Sequence, residues 1–300
     1  MRIVVTGGPG QLVLSMAERG ALAGHEVIAV GPPHLDLSAP DDVAVHAAIA
    51  AANPDAIVNA AAHTAVDKAE SERDLAFAIN AAGAGAVARA AARLDVPLVH
   101  VSTDYVFSGA KVKPYVETDP TGPTGVYGAS KLAGEDAVRA SGADFAILRT
   151  AWVYSPFGAN FVKTMLRLAE TRDELGVVDD QRGCPTSALD LADAAIAVLV
   201  NLKVRPDPPL RGLFHAAGSG EGSWADLAEA VFVTSAANGG PAARVKRIAT
   251  ADYPTPAKRP ANSQLDCEKL AACHGVRLAR WQTSVEQITA RLVREGTIKP

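Results

Sequence analysis

Cysteine and aromatic residues are scarce in this chain of 300 residues, which has three cysteines and 5% aromatic residues. The cysteines, Cys184, Cys267 and Cys273, are too few and too widely spaced for a disulfide framework or a paired set of zinc ligands. We therefore expect reduced thiols that serve as small hydrophobic residues in a cytoplasmic protein.

The chain also lacks an excess of either charge and a long apolar run. Its net charge is −4, which indicates neither a basic surface for nucleic acid nor an acidic disordered tail. The N-terminus enters a strand-like segment at Arg2 without the pattern of a signal peptide. The longest apolar runs, such as residues 194–200, are too short to cross a bilayer. These features predict a cytoplasmic protein that binds neither nucleic acid nor a membrane.

Short apolar runs alternate with alanine-rich helical stretches in the first half of the chain. Continuous apolar runs are typical of parallel strands that are buried on both faces. The predicted strands are Ile3–Thr6, Val27–Val30, Ala56–Asn59, Leu98–Ser102 and Phe145–Arg149. The predicted helices between them are Gln11–Ala23, Asp41–Ala52, Leu75–Leu94 and Gly128–Ala140. This order predicts an α/β fold with a Rossmann-type, doubly wound parallel sheet.

After about residue 150 the alternation of strands and helices is less regular. The predicted helices there are Asn160–Glu170, Leu189–Leu202, Ser223–Ala236, Cys267–Cys273 and Ser284–Arg294. We predict an NAD(P)-binding domain over residues 1–150, to which the helix near 188–202 returns. Residues 151–300 then form mainly a smaller C-terminal, substrate-binding lobe, with the ligand cleft between the two parts.

A glycine-rich turn follows the first predicted strand and precedes the first helix. Gly7 and Gly10 have the spacing of the short-chain dehydrogenase loop, in which the backbone and a helix N-terminus approach a diphosphate. Gln11 and Leu12 continue the loop into the helix. Val13 stands where a third glycine is usual. A glycine-rich turn alone is a weak signal, and its position at the first strand–helix junction strengthens it.

The second predicted strand carries the signal for the choice of cofactor. A carboxylate at its end would bind the ribose 2′-hydroxyl and repel a 2′-phosphate. The strand ends at Val30 and continues with Gly31, Pro32 and Pro33, without an acid or an arginine. NADPH is therefore favoured, with NADH as the alternative. Asp36, followed by Leu37, is better interpreted as an adenine-side contact or a turn residue.

Tyr127 and Lys131 lie four residues apart and so share one face of a predicted helix. A lysine charge at roughly 5 Å should lower the pKa of the tyrosine by about two pH units. The phenol could then protonate a carbonyl oxygen while hydride reaches the carbon. Thr103 follows the fourth strand at its carboxyl end, where ligands of open α/β sheets bind, and it should contact the same oxygen. Thr103, Tyr127 and Lys131 are the predicted catalytic residues.

Several longer motifs extend over nearly the whole chain and resemble one family. They are Thr6-Gly7-x-x-Gly10-Gln11, Asn59-Ala60-Ala61-Ala62-His63-Thr64-Ala65-Val66-Asp67, Ser102-Thr103-Asp104-Tyr105-Val106-Phe107, Tyr127-Gly128-x-Ser130-Lys131-Leu132-Ala133-Gly134-Glu135, Arg149-Thr150-Ala151-Trp152-Val153-Tyr154, Val178-Asp179-Asp180-Gln181-x-Gly183-x-Pro185-Thr186 and Arg259-Pro260-x-Asn262-Ser263-x-Leu265-Asp266. This pattern resembles the dTDP-4-dehydrorhamnose reductases, which are extended short-chain dehydrogenases. The first group of motifs is shared by a large superfamily, whereas the later motifs are typical of a much smaller group of proteins.

The resemblance implies a reaction and a set of binding residues. The reaction is reduction of the 4-keto group of dTDP-6-deoxy-L-lyxo-4-hexulose to dTDP-L-rhamnose, a precursor of cell-surface polysaccharide. The implied cofactor contacts, besides the glycine loop, are Ala61, Ala62, His63, Tyr127 and Lys131, with Asn80 as a structural contact beneath the site. The implied substrate contacts are Thr64, Val66, Asp104, Tyr105, Trp152, Asn160 and Arg259. Trp152 would pack against the sugar, and Asn160 and Arg259 would contact the diphosphate.

One departure from the family pattern concerns metal binding. Some relatives bind magnesium through acidic side chains near a dimer contact, but Ser15 takes the corresponding early-helix position here. No metal site is therefore predicted, and dependence on Mg²⁺ is left open. The resemblance also implies a homodimer as one assembly of the chain.

Other functions on the same fold stay open at this point. A dehydratase would have an Asp-Glu pair after the threonine, whereas Thr103 is followed by Asp104 and Tyr105. An epimerase would retain tightly bound NAD. A reductase of another nucleotide sugar would have the same motifs. Outside enzymes, the chain also resembles a cofactor-binding regulatory subunit of methionine adenosyltransferase, although the intact catalytic set argues against a purely binding role.

Overall fold

The computed structural model describes residues 1–297, in which thirteen short strands and eleven α-helices alternate. The strands are β1 (Arg2–Thr6), β2 (Glu26–Val30), β3 (Ala56–Asn59), β4 (Leu98–Thr103), β5 (Phe145–Thr150), β6 (Val153–Tyr154), β7 (Glu174–Val178), β8 (Arg182–Gly183), β9 (Thr186–Ser187), β10 (Gly212–His215), β11 (Gly222–Ser223), β12 (Arg244–Ile248) and β13 (Asn262–Ser263). The helices are α1 (Gln11–Leu22), α2 (Asp42–Ala50), α3 (Val66–Ala69), α4 (Arg73–Phe77), α5 (Ala84–Leu94), α6 (Val126–Arg139), α7 (Phe161–Ala169), α8 (Ala188–Val204), α9 (Trp224–Ala237), α10 (Glu268–His274) and α11 (Trp281–Glu295).

The main sheet has six parallel strands in the order β2-β1-β3-β4-β5-β10. The strand order reverses at β1, because β2 lies on one side of it and β3 on the other. The prediction of a doubly wound parallel sheet is therefore confirmed. All five strands predicted for this sheet are present, and each end lies within one residue of its expected position.

The sixth strand, β10, was not predicted from the sequence. It has only four residues, begins at Gly212 with a φ of +103°, and follows a proline-rich stretch. The local sequence does not indicate a strand here, and the pairing with β5 stabilises it. The lobe contains a further parallel pair, β7 and β12, which was also missed.

Each face of the main sheet has its own apolar core. Ile3 and Val5 of β1 contribute to the core beneath α1 and α8, whereas Val4 contributes to the core beneath α2 and α5. A third core lies among α7, α9 and α11 in the second half of the chain. The alternation within β1 is expected for a strand covered on both faces.

Helix α8 returns from the second half of the chain to cover the sheet. Its residues Leu191, Ala195, Val198 and Leu199 are buried against α1 and the strands. Residues 1–150 therefore contain neither the whole sheet nor all the helices that pack on it, since β10 and α8 both come from beyond residue 150. The division of the chain into two domains at residue 150 stays a prediction.

One helical stretch, Arg73–Leu94, has the length and composition of a membrane span, which the short apolar runs did not lead us to expect. It comprises α4, a π-helical turn at Ala78–Gly83, and α5. Its most apolar window is 56% buried inside the protein. Val87 and Ala91 of α5 belong to the core on the second face of the sheet.

We expect the contact between α8 and the sheet to contribute strongly to stability. Leu199 is fully buried, so Leu199→Ala should lower the free energy of unfolding by about 2–5 kcal/mol. Val204, at the end of the same helix, is 67% exposed. Val204→Ala should therefore change the free energy of unfolding by less than about 0.5 kcal/mol. Urea unfolding followed by circular dichroism measures both, and equal effects of the two variants would contradict the assigned packing.

Candidate functional site

A cavity of about 830 Å³ lies at the carboxyl ends of the parallel strands. It opens beside β1 and β3, where the strand order reverses and open α/β sheets bind their ligands. Sixteen residues predicted as binding or catalytic line it. They are Gly7, Gly10, Gln11, Leu12, Asp36, Leu37, Ala61, Ala62, Thr64, Val66, Thr103, Asp104, Tyr105, Tyr127, Lys131 and Trp152.

The glycine-rich turn forms one wall of this cavity. Gly7 has a φ of +125°, and a Cβ there would lie 3.3 Å from the Cα of Ala61 on the neighbouring segment. Gly10 is the N-cap residue of α1 and has no side chain to cap it, so the first N–H groups of the helix have no side-chain acceptor. Val13 is buried and packs towards Gly7, which shows how the helix accommodates the missing third glycine. This cradle of glycine and free N–H groups fits a diphosphate.

The segment after β2 forms the adjoining wall. Its residues Pro32, Leu35, Asp36 and Leu37 line the cavity. The carboxylate of Asp36 accepts a hydrogen bond of 2.8 Å from the backbone N–H of Ser38, as in a turn. The end of β2 itself presents no carboxylate that would repel a 2′-phosphate.

The three predicted catalytic side chains meet at the same cavity. Thr103 ends β4, and Tyr127 and Lys131 lie on α6. The hydroxyl of Thr103 lies beside the phenol of Tyr127 and acts to lower its pKa. The ammonium group of Lys131 donates a hydrogen bond of 2.7 Å to the carbonyl oxygen of Val101 on β4. A substrate carbonyl oxygen beside Thr103 would therefore lie near three groups, which are the Tyr127 phenol, the Thr103 hydroxyl and the Lys131 ammonium.

Burial controls the acid–base properties of this set. It raises the pKa of Tyr127 above its usual value of 10, against the opposing effect of the Thr103 hydroxyl. It lowers the pKa of Lys131 to about 8, although Glu135 acts in the opposite direction. The prediction that Lys131 lowers the pKa of Tyr127 is thus wrong for this structure, because desolvation of the phenol dominates. Tyr127 consequently stays protonated at neutral pH, which is the form that a proton donor needs.

Asp104 lies next to Thr103 and is 3% exposed. Burial raises its pKa to about 6, while hydrogen bonds from Ser263 and Thr103 act to lower it. The hydroxyl of Thr103 donates to one carboxylate oxygen at 2.9 Å. Tyr105 packs edge-on against the ring of Tyr127, with centroids 5.5 Å apart. Ser263, from the far end of the chain, thus acts on the same carboxylate as Thr103.

Helix α6 is anchored to the sheet by a buried ion pair. Two guanidinium nitrogens of Arg149 on β5 donate to the two carboxylate oxygens of Glu135, each at 2.7 Å. The hydroxyl of Ser102 on β4 also donates to Glu135 at 2.7 Å. Burial acts to raise the pKa of Glu135, but the hydrogen bonds and charge of Arg149 outweigh it and hold that pKa below 4.5.

Two predicted cofactor residues, His63 and Asn80, do not line the cavity. The side-chain oxygen of Asn80 accepts from the backbone N–H of His63 at 2.8 Å. Its amide group donates to the hydroxyl of Ser130 on α6 at 2.9 Å. Asn80 therefore joins the segment after β3 to the catalytic helix from beneath the site. The ring of His63 pairs with Glu72 at 2.7 Å.

Two predicted substrate residues, Asn160 and Arg259, also lie outside the cavity lining. Asn160 caps α7 by accepting from the backbone N–H of Lys163, and its amide group donates to two loop carbonyls. The oxygen and the amide group of its side chain therefore both form hydrogen bonds within the protein. Arg259 donates to Asp67 at 2.7 Å, and its charge acts on the Tyr105 hydroxyl, so it lies near the wall that Tyr105 forms.

Trp152 lines the cavity, but its ring is already covered on one face. The indoles of Trp152 and Trp224 stack with centroids 3.7 Å apart and planes 9° apart. Gly183 also contacts the ring, since a Cβ there would lie 2.5 Å from Cε2 of Trp152. This arrangement differs from the open ring face that we expected for packing against a sugar.

The sequence prediction did not assign roles to several residues of this region. Gly158 and Ala159 line the cavity, and Trp224, Gln181 and Ser263 contact residues that do. Gln181 and Ser263 stand inside motifs that carry the family resemblance, and this was the signal for them. Trp224 had no such signal, because its contact with Trp152 joins positions far apart in the sequence.

No group of three or more potential metal ligands occurs among residues 1–297. Ser15, which replaces the acidic residue of some relatives, is fully buried in α1. The three cysteines are free thiols, and burial raises the pKa of Cys184 to about 11 and that of Cys267 to about 12. Both thiols are therefore poorly reactive at neutral pH.

Comparison with known proteins gives consistent results over the whole chain. A family model described as RmlD substrate binding domain matches residues 1–294. A dTDP-4-dehydrorhamnose reductase of Sinorhizobium fredii is 50% identical over 296 residues and covers 99% of both chains. Two solved structures of dTDP-4-dehydrorhamnose reductases also match over 97% of this chain and 99% of theirs. The Clostridium acetobutylicum structure has 37% identity and a TM-score of 0.89, and the Bacillus anthracis complex with NADP has 34% and 0.88.

We expect the buried partner of Glu135 to matter far more for stability than its exposed partner. Arg149→Leu leaves a buried carboxylate without its main partner and should lower the free energy of unfolding by about 3–5 kcal/mol. Arg139→Ala removes an exposed guanidinium from the same carboxylate and should cost less than about 1 kcal/mol. Urea unfolding at neutral pH compares the two.

The effect of Arg149→Leu should also depend on pH. The pair holds the pKa of Glu135 below its usual value of 4.5, so its contribution is full above that pH and is lost as the pH falls through the lower, folded-state pKa. The difference between wild type and variant should therefore shrink in acid. A difference that grows as the pH falls would contradict this assignment.

Proposed function

Since the chain belongs to the dTDP-4-dehydrorhamnose reductase family, we propose that it reduces the 4-keto group of dTDP-6-deoxy-L-lyxo-4-hexulose to dTDP-L-rhamnose. The chain is an NAD(P)-dependent oxidoreductase of this type. The observation that carries the assignment of its catalytic residues is the meeting of Thr103, Tyr127 and Lys131 in the cavity beside the glycine loop. Their arrangement offers a proton donor next to the place where a carbonyl would lie.

Each catalytic residue has a distinct role in this proposal. NADPH, when bound, supplies the hydride that reduces the sugar C4 carbonyl. Tyr127 donates the phenolic proton to the oxygen that becomes the hydroxyl, and Thr103 orients that oxygen through its own hydroxyl. Lys131 holds the nicotinamide ribose and stabilises the phenolate that proton transfer leaves behind. The raised pKa of Tyr127 keeps the proton in place until the carbonyl oxygen becomes more basic.

The substrate occupies the part of the cavity beside the predicted catalytic residues. Thr64, Val66, Asp104, Tyr105 and Trp152 line the cavity and are the proposed substrate contacts. We assign Asn160 a structural role, because its side chain caps α7. Arg259 acts near Tyr105, where its bond to Asp67 fixes it.

The proposed cofactor is NADPH, with NADH as a weaker alternative. The end of β2 carries no carboxylate, so the 2′-phosphate meets no like charge there. The Bacillus anthracis relative was solved with NADP. We further propose that the protein acts in the cytoplasm and that it associates as a homodimer, which light scattering would test.

Turnover of the keto sugar tests the proposed function directly. Wild-type protein should oxidise NADPH faster than NADH with dTDP-6-deoxy-L-lyxo-4-hexulose and form dTDP-L-rhamnose, as absorbance and product chromatography measure. Tyr127→Phe should lower kcat by about 10²–10⁴-fold, because it removes the proton donor, while NADPH binding stays nearly unchanged.

The outcomes of this experiment separate the alternatives. Unchanged turnover in Tyr127→Phe would refute the catalytic assignment. Folded wild-type protein that binds NADPH without turnover would support another keto sugar or a regulatory binding protein. Tightly bound NAD in the purified protein would support an epimerase.

The lowered pKa of Lys131 predicts an alkaline limit to activity. The kcat/KM for NADPH should decline as the pH rises through about 8, because Lys131 loses the charge that binds the ribose. Tyr127 does not titrate in this range, since burial raises its pKa. Lys131→Met should show low activity without this decline. A wild-type profile that stays level to a pH of about 10 would show that Lys131 keeps an ordinary pKa.

A further inference from the structure

The three tryptophans of the chain differ in how they use their indole N–H groups. Trp224 donates to the side-chain oxygen of Gln181 at 3.1 Å, and Trp281 donates to the carbonyl oxygen of Glu221 at 3.0 Å. Within residues 1–297, the indole N–H of Trp152 has no protein acceptor, and Trp152 is partly exposed where it lines the cavity. Trp152 therefore has a hydrogen-bond donor that remains available to a ligand.

Both faces of the Trp152 ring are covered. Trp224 stacks on one face at 3.7 Å, a separation that leaves no room for another group between the rings. Gly183 approaches Cε2, Cζ2 and Cδ2 of the same ring and so must lie on the opposite face. A side chain at this position would collide with the indole. Stacking of a ligand on this indole is therefore restricted on both faces, which leaves the edge of the ring for contact.

The backbone of Trp152 needs these contacts. Its φ of +48° lies in the left-handed region, which is unfavourable for a bulky residue. Its carbonyl oxygen accepts from the backbone N–H of Thr186 at 3.1 Å, at the start of the short pairing of β6 with β9. Stacking on Trp224 is the side-chain contact that offsets the strained conformation.

Trp224 is itself fixed by a second layer of contacts. Gln181, which accepts its indole N–H, is 7% exposed and donates to the hydroxyl of Thr250 at 3.0 Å. Phe161 contacts Trp224 at a centroid distance of 4.8 Å. Neither Trp224 nor Gln181 lines the cavity. They can influence a ligand only through Trp152.

We propose that Trp224 and Gln181 are positioning residues for substrate binding. They hold Trp152 with its faces covered and its N–H edge at the cavity, where it donates a hydrogen bond to an oxygen of the sugar nucleotide. This inference rests on the proposed function, because it names residues that position a contact to the same substrate. We therefore expect the effect to fall on the sugar nucleotide rather than on NADPH.

The test compares Trp224→Leu and Gln181→Met with wild type. Each should raise the KM for the keto sugar nucleotide by about threefold to tenfold, the range expected from loss of one aromatic stack or one hydrogen bond. The KM for NADPH should stay unchanged, and kcat should change little. Trp152→Phe, which keeps a ring but removes the N–H, should raise the same KM. Trp224→Phe should recover part of the loss.

Circular dichroism tests the stack without reference to activity. Two stacked indoles couple their transitions, and they give a pair of far-ultraviolet bands of opposite sign when the two transition directions are rotated relative to each other. This couplet should be present in wild type, lost in Trp224→Phe and Trp152→Phe, and retained in Trp281→Phe, which removes the remaining tryptophan.

The two sets of measurements separate the possible failures. Equal increases in both KM values, or no increase in the sugar KM while the couplet is lost, would overturn the positioning role. A couplet that persists in Trp224→Phe or Trp152→Phe would overturn its assignment to the stack. Wild-type protein without turnover of the keto sugar would refute the proposed function, and the inference would fall with it.

Discussion

The buried ion pair of Glu135 and Arg149 fixes how α6, the helix that carries Tyr127 and Lys131, meets the sheet, and the geometry of the cavity depends on it. Tyr127 and Lys131 come from α6, whereas Thr103 comes from β4. The three can meet only if the helix holds a fixed position and rotation relative to the strand. Glu135 lies one helical turn beyond Lys131, and it is bonded to β5 through Arg149 and to β4 through Ser102. A charge pair in this setting is costly to separate, because either partner alone would be buried without compensation.

Close backbone packing along α6 complements this anchor. A Cβ at Gly128 would collide with the carbonyl oxygen of Tyr105, and one at Gly134 would collide with that of Asn80. The helix therefore lies almost directly on the segments that carry the active-site loop and the π-helical turn. Asn80 in that turn then bonds to Ser130. An ion pair, two glycines and one asparagine together hold the proton donor at the cavity.

The sequence predicts the parts of this protein that local pattern determines. The βα alternation, the glycine loop and the pair Tyr127 and Lys131 are short-range features, and the structure has the predicted parallel sheet and brings these residues to one cavity. The sequence does not predict properties that depend on distant segments. The raised pKa of Tyr127 results from burial, and the covered faces of Trp152 result from Trp224 and Gly183. Asn160 illustrates the same limit, since its place in the sequence cannot distinguish a helix cap from a ligand contact.

The late position of α8 and β10 in the chain has a consequence for synthesis on the ribosome. The edge of β5 and the apolar face beside α1 are completed only by residues 188–215. A nascent chain that has emerged to residue 150 therefore presents an open strand edge and an uncovered core surface, both of which favour aggregation. The catalytic residues up to Lys131 have left the ribosome by then, but the sheet that supports them is not closed. Translation of the next stretch must keep pace, or a chaperone must cover the unfinished face.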